Sequence, residues 1–315
     1  MTTGARGIRD EETHWIDAGD GARLHVRAVG PPDAPTVVLA HGWACRIEYW
    51  RPQIDELARD YRVIAFDQRG HGLSTTGSRD IDAEVLADDL ARVVDVAADA
   101  HSVVVGHSMG GIAVQAWWDR HPEQAARTSG GAVLANTTWG GLARGTRVFP
   151  LLNGRVPGPQ WLGRLVLGAA VPMPDGPLLR AAVRNRTMNP RHATRAQARF
   201  VSDVVRACDP GVRARTALAL ADLDLGPAAA RAITVPTTVI VGRADRLTPA
   251  WMGRRIATEL ERTGGLHRLV ELDTGHSANV EMPDVFTAEI RRVVRVAQGS
   301  GPGAVASQGV PIRRV

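Results

Sequence analysis

The stretch SVVVGHSMGGIAV, residues 102–114, decides the reading of the chain. Val103, Val104 and Val105 are β-branched and run without a polar break into Gly106, as in a strand buried on both faces of a parallel sheet. From Met109 onward the apolar residues recur at helical spacing, which predicts a helix over 109–120. Ser108 stands between the two, flanked by Gly106 and Gly110 in the pattern G-x-S-x-G. Glycines at those positions let the backbone take a sharp turn that a Cβ would block, and the turn lifts the serine hydroxyl to the sheet edge at a helix N-terminus. A serine in a Gly-rich turn also has a plainer reading as a turn residue. The strand before it and the helix after it favour a nucleophile.

Serine is a weak nucleophile at its ordinary pKa, so a base is needed, and the base needs an orienting group. Apolar runs like 102–107 recur along the chain as TVVLAHG (36–42), YRVIAFDQRG (61–70), GAVLANTT (131–138), TTVIVGRAD (237–245) and HRLVELDTGH (267–276). Helices are expected between them over 48–59, 82–98, 249–262 and 283–297, and residues 13–29 read as a hairpin about the turn AGDG. The fold class is therefore α/β, and in such a sheet the active site lies at the C-terminal ends of the strands. Asp245 and His276 both fall there, in the chain order Ser, Asp, His. Asp273 sits too close to His276 along the chain to orient it easily. Thr248 before Pro249 is read as a helix N-cap, which leaves Asp245 free to act as the orienting group. Two backbone N–H groups are expected to bind an oxyanion, those of Met109 and of Trp43, where His41-Gly42-Trp43 ends the strand run that starts at Thr36.

Taken together these residues resemble the α/β-hydrolase superfamily in its lid-bearing, single-chain branch, over roughly residues 13–297. The resemblance rests on His41-Gly42-Trp43, on the run from Asp67 through Gln68, Arg69, Gly70, His71, Gly72 and Leu73 to Ser74, on the Ser108 turn, on Asp245, and on Gly275-His276. It implies a mostly parallel central sheet with helices on both faces and an inserted helical lid. Families similar in this pattern include carboxylesterases, monoacylglycerol lipases, lactonases, carbon–carbon bond hydrolases, cofactor-free perhydrolases, epoxide hydrolases and haloalkane dehalogenases. The last two use an aspartate where this chain has Ser108. Epoxide hydrolases also carry lid tyrosines, whereas Tyr49 and Tyr61 lie outside the expected lid, so both readings are set aside.

The strand–helix alternation stops over 140–235, about 95 residues that are too long for a plain loop. This segment is read as the lid, helical with breaks at NGRVPGPQ, VPMPDGP and DPG, between core parts 1–139 and 236–297. The tail 298–315 lacks any sustained period and is expected to be disordered. Trp139, Trp161, Phe149, Leu151 and Leu152 are candidate walls of an apolar cleft, with packing of lid onto core as the alternative. Trp117 and Trp118 are read as core, and the run from Asp67 to Gly72 as a structural turn that supports the site.

All 38 basic residues are arginine, and the net charge of +5 is unevenly spread. Residues 140–230 hold 13 Arg against 5 Asp and no Glu, which suits either an anionic substrate or a solvated helical surface. No recognised motif accompanies the arginines, so nucleic acid is not an expected partner. The absence of a long apolar run, and of an apolar segment near Met1, predicts a cytoplasmic protein without integral membrane contact. Cys45 and Cys208 form no bridge framework and no metal pair, and Cys45 is read as a buried thiol. His41, His71 and His107 show no ligand spacing, so neither a metal nor another cofactor is expected.

These readings combine into a serine hydrolase that cleaves a carboxylic ester of a small to medium apolar substrate through an acyl-enzyme. The alternatives are a lactone or carbon–carbon bond hydrolase acting on an anionic substrate, and a non-catalytic binding protein on the same fold.

Overall fold

The β-branched runs become the strands of one sheet in the computed structural model, which describes residues 11–148 and 160–299. Among these residues the strands are β1 (Glu11–Asp17), β2 (Arg23–Val29), β3 (Thr36–Ala40), β4 (Arg62–Phe66), β5 (Ser102–His107), β6 (Ser129–Ala135), β7 (Thr237–Gly242) and β8 (Leu266–Leu272). Their order across the sheet is β1-β2-β4-β3-β5-β6-β7-β8. β1, β2 and β4 pair antiparallel, and every other pairing is parallel. In the parallel part Ala40 pairs with Gly106, His107 with Ala135, Ala135 with Ile240, and Gly242 with Leu272. That register ends all these strands along one edge, so the loops that follow them share one face of the molecule.

Alternation along each strand explains why the runs carry apolar residues at every position. Val104 and Val38 point to one face, where the helices Ala83–Ala97, Met109–Arg120 and Ala250–Thr263 cover them with Leu90, Ile112 and Ile256. Val103 and Val105 point to the other face, against Ile54 and against Phe286, Ile290 and Val293 of the helix Pro283–Gly299. Trp117 and Trp118 are fully buried on the first face, as expected of core residues.

Several helix boundaries depart from the sequence reading for local reasons. The helix expected over 48–59 is a 3₁₀ turn, Ile47–Trp50, followed by the α-helix Arg51–Leu57. Pro52 has no N–H to give and fits only the first turn of a helix, so the α-helix starts beside it. The helix expected from 249 begins at Ala250 with Pro249 as N-cap, and Thr248 does not cap it. The last helix runs on to Gly299, two residues into the expected tail, and residues 300–315 lie outside the described residues.

Between β6 and β7 the chain runs through the helices Leu142–Gly145, Gln160–Leu167, Pro177–Thr187, Arg195–Arg206, Pro210–Asp222 and Gly226–Arg231. The break expected at 171–177 falls between helices up to Pro177, which opens one, and of 209–211 only Asp209 lies outside the helix, capping the amide of Val212 at 2.9 Å. Among the described residues no helix is long and apolar enough to cross a membrane.

Three histidines at or just past the strand ends are buried and neutral. Burial holds His41 and His71 down to about 4 and His107 down to about 3. An unfolded histidine titrates near about 6.5, so between that pH and about 4 the unfolded chain binds protons that the folded chain refuses. Stability therefore falls as pH drops through this window, by up to roughly 1.4 kcal/mol per histidine per pH unit. Urea unfolding should show a lower midpoint at pH 5 than at pH 7 with an unchanged slope. A midpoint that stays constant over that range would contradict the assignment.

Candidate active site

Ser108 sits at the turn between β5 and the helix Met109–Arg120 with φ 54° and ψ −117°, a left-handed conformation uncommon for a residue with a side chain. Its neighbours hold it there. The Ser108 amide donates to the Ala135 carbonyl at 2.9 Å, and its own carbonyl accepts from Gly111 N at 2.9 Å and Thr137 Oγ1 at 2.7 Å. A Cβ on Gly106 would strike the backbone of Gly110, and one on Gly110 would strike the Ala40 carbonyl. The two glycines of the motif are thus demanded by the close approach of helix to strands. Met109 follows as the first helical residue, among the N–H groups that have no acceptor within the helix.

The loops after β7 and β8 are zipped together by Arg243 N to Leu272 O at 2.8 Å and Ala244 N to Thr274 O at 2.9 Å. This brings His276 Nδ1 to 2.9 Å from Asp245 Oδ2. Asp245 is buried and collects further donors: Asn136 Nδ2 at 3.0 Å on Oδ2, with Leu247 N at 2.8 Å and Thr248 N at 2.9 Å on Oδ1. Burial pushes the Asp245 carboxyl up, but the His276 ring and the Asn136 and Thr248 donors outweigh it, and the group lies below the usual carboxylate range. Asp273 faces elsewhere: its oxygens meet Asn189 Nδ2 at 2.8 Å and His192 Nε2 at 2.9 Å.

Two partners of Asp245 escaped the sequence reading. Asn136 follows the apolar run of β6 and has positive φ (46°), and its amide bridges Asp245 and the Gly275 carbonyl. A polar residue directly after a buried strand at the site edge was the available signal. Thr248 lies one residue too early to cap its helix. Its hydroxyl stands 2.8 Å from both Asn136 O and Asp245 Oδ2 and 3.1 Å from His276 Nδ1.

Glu281 was missed as well, and it organises the His276 loop. Its carboxylate accepts from Gly275 N at 3.0 Å, from Ser277 N at 3.3 Å, and from Asn189 N at 2.7 Å in the helical segment between β6 and β7. His276 N itself donates to Thr187 O at 2.6 Å, so this segment is tied directly to the loop. Burial raises the Glu281 carboxyl, with the backbone donors working against the rise. On the other side His107 Nε2 lies 2.7 Å from the His276 carbonyl, with the two rings 4.9 Å apart.

Ser108 and His276 both line a cavity of about 450 Å³ between the sheet edge and the helical segment. With Nδ1 engaged by Asp245, the opposite edge of the imidazole is the one left for this space. Trp43, Cys45 and Tyr49 contribute from the core, and Val166, Met173 and Val201 are among the aliphatic walls from the helical segment. Gly42 passes so close that a Cβ there would stand 3.1 Å from Ser108 Cβ, which places the 41–45 loop against the serine. The Trp43 indole donates to the Arg213 carbonyl at 2.9 Å, and Asp67 braces the loop by accepting from Ile47 N at 2.8 Å. Burial pushes the Cys45 thiol up, so it is protonated at neutral pH.

The expected aromatic walls are corrected. Trp139 is buried away from this cavity under the Arg255 guanidinium, 4.4 Å from its ring, and Trp161 is 64% exposed. Phe149, Leu151 and Leu152 lie outside the described residues.

Comparison with known proteins agrees with this fold. The sequence profile of the Alpha/beta hydrolase family matches residues 37–289. A bifunctional esterase/perhydrolase of Acinetobacter calcoaceticus is 37% identical over 109 residues, which are 34% of this chain and 40% of that protein. Epoxide hydrolase A of Mycobacterium tuberculosis is 37% identical over 119 residues, 37% of this chain and 36% of that protein. The matched stretch thus spans 40% or less of either relative's length. The crystal structure of the enol-lactonase from Burkholderia xenovorans LB400 aligns with a TM-score of 0.71 at 28% identity, covering 89% of this chain and 99% of that one. An esterase from Exiguobacterium antarcticum shares the fold, with a TM-score of 0.72 at 22% identity over 89% of this chain and 98% of that one.

The carboxylate of Glu281 should be testable without any substrate. Glu281→Gln replaces a charged acceptor that serves three buried amides with one neutral carbonyl oxygen, weakening each bond by about 1 kcal/mol or more and leaving at least one amide unpartnered. Amide exchange at Gly275, Ser277 and Asn189 should accelerate at least about tenfold relative to the sheet amides. Equal protection in the variant would contradict the assigned role.

Proposed function

The chain belongs to the alpha/beta hydrolase family, and from that premise we propose that it is a serine hydrolase cleaving a carboxylic ester of a small to medium apolar substrate. Ser108 is the nucleophile, His276 the general base and Asp245 the group that orients the imidazole and stabilises its protonated form. One observation carries the reading. His276 is bonded through Nδ1 to the buried Asp245 at 2.9 Å while it shares a cavity with Ser108, the residue held at positive φ on the turn.

In the proposed cycle His276 takes the Ser108 hydroxyl proton as Oγ attacks the ester carbonyl carbon. The N–H groups of Met109 and Trp43 hold the resulting oxyanion. The tetrahedral intermediate collapses, the C–O bond to the alcohol breaks, and His276 returns the proton to the departing oxygen. Water then attacks the acyl-enzyme by the same route, releasing the acid and restoring Ser108. No cofactor takes part. Residues 140–235 act as the lid, supplying the aliphatic walls that exclude water and select the acyl group.

The lactone reading stays second, supported by the likeness to an enol-lactonase, because lactone opening uses the same carbonyl chemistry. Epoxide opening is disfavoured despite the epoxide hydrolase relatives, since Ser108 occupies the nucleophile position. Tyr49 does reach the cavity, though from the core and not from the lid, and burial holds its hydroxyl protonated. The non-catalytic alternative leaves the Asp245 network without a purpose.

A fluorophosphonate probe should label the wild-type protein and not Ser108→Ala. Hydrolysis of short nitrophenyl esters should fall about 10⁴-fold or more in Ser108→Ala and His276→Ala, and about 10⁴-fold in Asp245→Asn. Labelling that survives in Ser108→Ala, or ester hydrolysis indifferent to all three changes, would overturn the proposal.

A further inference from the structure

The helix Pro177–Thr187 turns one face to the cavity: Leu179, Ala182, Val183, Arg186 and Thr187 line it, at the i, i+3, i+4, i+7, i+8 spacing of a single stripe. Four of these suit an apolar acyl pocket. Arg186 does not, and among the described residues lining the cavity it is the sole arginine or carboxylate-class charge. It stands at the end of the stripe nearest the catalytic loop, since the next residue, Thr187, receives the His276 amide at 2.6 Å.

Arg186 also has no counter-charge. Its hydrogen bond runs from Nη1 to the Val148 carbonyl at 3.3 Å, and no carboxylate pairs with it among the described residues. The undescribed stretch 149–159 contains no Asp or Glu at all. Its surroundings are basic: Arg246 Nη1 donates to Asn185 O at 3.0 Å beside it, and Arg147 N donates to Arg246 O at 2.6 Å. Neither of these arginines has an ion pair among the described residues either. Elsewhere in the same segment arginines do find partners, as Arg164 does with Asp222 at 2.6 Å and Arg180 with Asp175 at 2.9 Å. Of the arginines in this segment without an ion pair among the described residues, Arg186 is the one that lines the cavity.

We propose that Arg186 binds a carboxylate on the substrate, so that the enzyme acts on esters or lactones whose apolar body ends in a carboxylate. The planar guanidinium matches a carboxylate with two parallel hydrogen bonds, and the aliphatic walls beside it suit the apolar body of the substrate. Arg246 and Arg147 add attraction for an anion approaching the mouth. This proposal rests on the serine-hydrolase reading and narrows its substrate.

The test compares kcat/KM for the mono-4-nitrophenyl esters of adipic and suberic acid with the neutral hexanoate and octanoate esters of matched length. In the wild-type enzyme at least one carboxylate-bearing ester should be preferred over its neutral partner, and the preference should shrink as salt rises. Arg186→Met should lower the ratio of charged to neutral kcat/KM by about 10- to 100-fold, chiefly through KM, as loss of a charge-assisted pair implies. Arg186→Lys should recover part of the ratio. Arg186 is exposed, so both variants should fold, which thermal melting verifies. A wild-type enzyme that shows no preference, or a ratio equal in wild type and Arg186→Met, overturns the proposal while leaving ester hydrolysis intact. Absence of both turnover and fluorophosphonate labelling at Ser108 would instead overturn the underlying serine-hydrolase reading.

Discussion

The approach of the helix Met109–Arg120 to the end of β3 is the constraint on which the rest of the site depends. Gly110 lies against the Ala40 carbonyl with no room for a Cβ, and Gly106 lies equally close to Gly110. With the helix pressed so near, the chain between must reverse within one residue, and Ser108 takes positive φ to do it. The cost of that conformation, of order 1–3 kcal/mol, is met by hydrogen bonds to Ala135, Gly111 and Thr137. Parallel register then fixes what surrounds the serine: the ends of β3, β6, β7 and β8 deliver Trp43, Asn136, Asp245 and His276 to the same edge.

Polar contacts tie these loops to one another. Asp245 joins the ends of β6, β7 and β8 through Asn136, its own loop amides and His276. Glu281 does the same one layer out, joining the His276 loop to Asn189 of the helical segment. Gln197 adds a bond from its side chain to the Val280 carbonyl at 2.8 Å. The helices flanking residues 187–197 are therefore bonded to the loop that carries His276. An opening of the cavity that moves them must break these hydrogen bonds.

What was legible in the sequence follows from how local each signal is. β-branched runs announced the strands because every position of a two-sided strand is apolar, and the glycine pattern announced the turn because few other residues fit it. Asp245 and His276 were readable from their places after such runs. Asn136, Thr248 and Glu281 were not, because their roles depend on partners distant in sequence, such as Asp245 for Asn136 and Asn189 for Glu281. Thr248 also misled: threonine before proline is a good capping signal, yet the helix starts one residue late and the hydroxyl serves Asp245 instead. The two readings left open for the tryptophans, cavity wall or packing onto the core, could not be separated for a related reason. An aromatic residue marks surface to be buried and not the direction it faces, so Trp139 went under Arg255 while aliphatic residues formed the walls on the side of the helical segment. The excess of arginine in 140–230 was visible, but which arginine meets the cavity came only from the helix that carries Arg186.

The central claim is that one sheet edge assembles a nucleophile, its base and an oxyanion site around Ser108. A crystal structure of the phosphonylated protein tests all three at once. The account predicts phosphorus bonded to Ser108 Oγ, with one phosphonyl oxygen about 2.7–3.1 Å from both Met109 N and Trp43 N and His276 Nε2 within hydrogen-bond reach of the adduct. An adduct on another residue, or on Ser108 with its oxygen turned away from both amides, would contradict it.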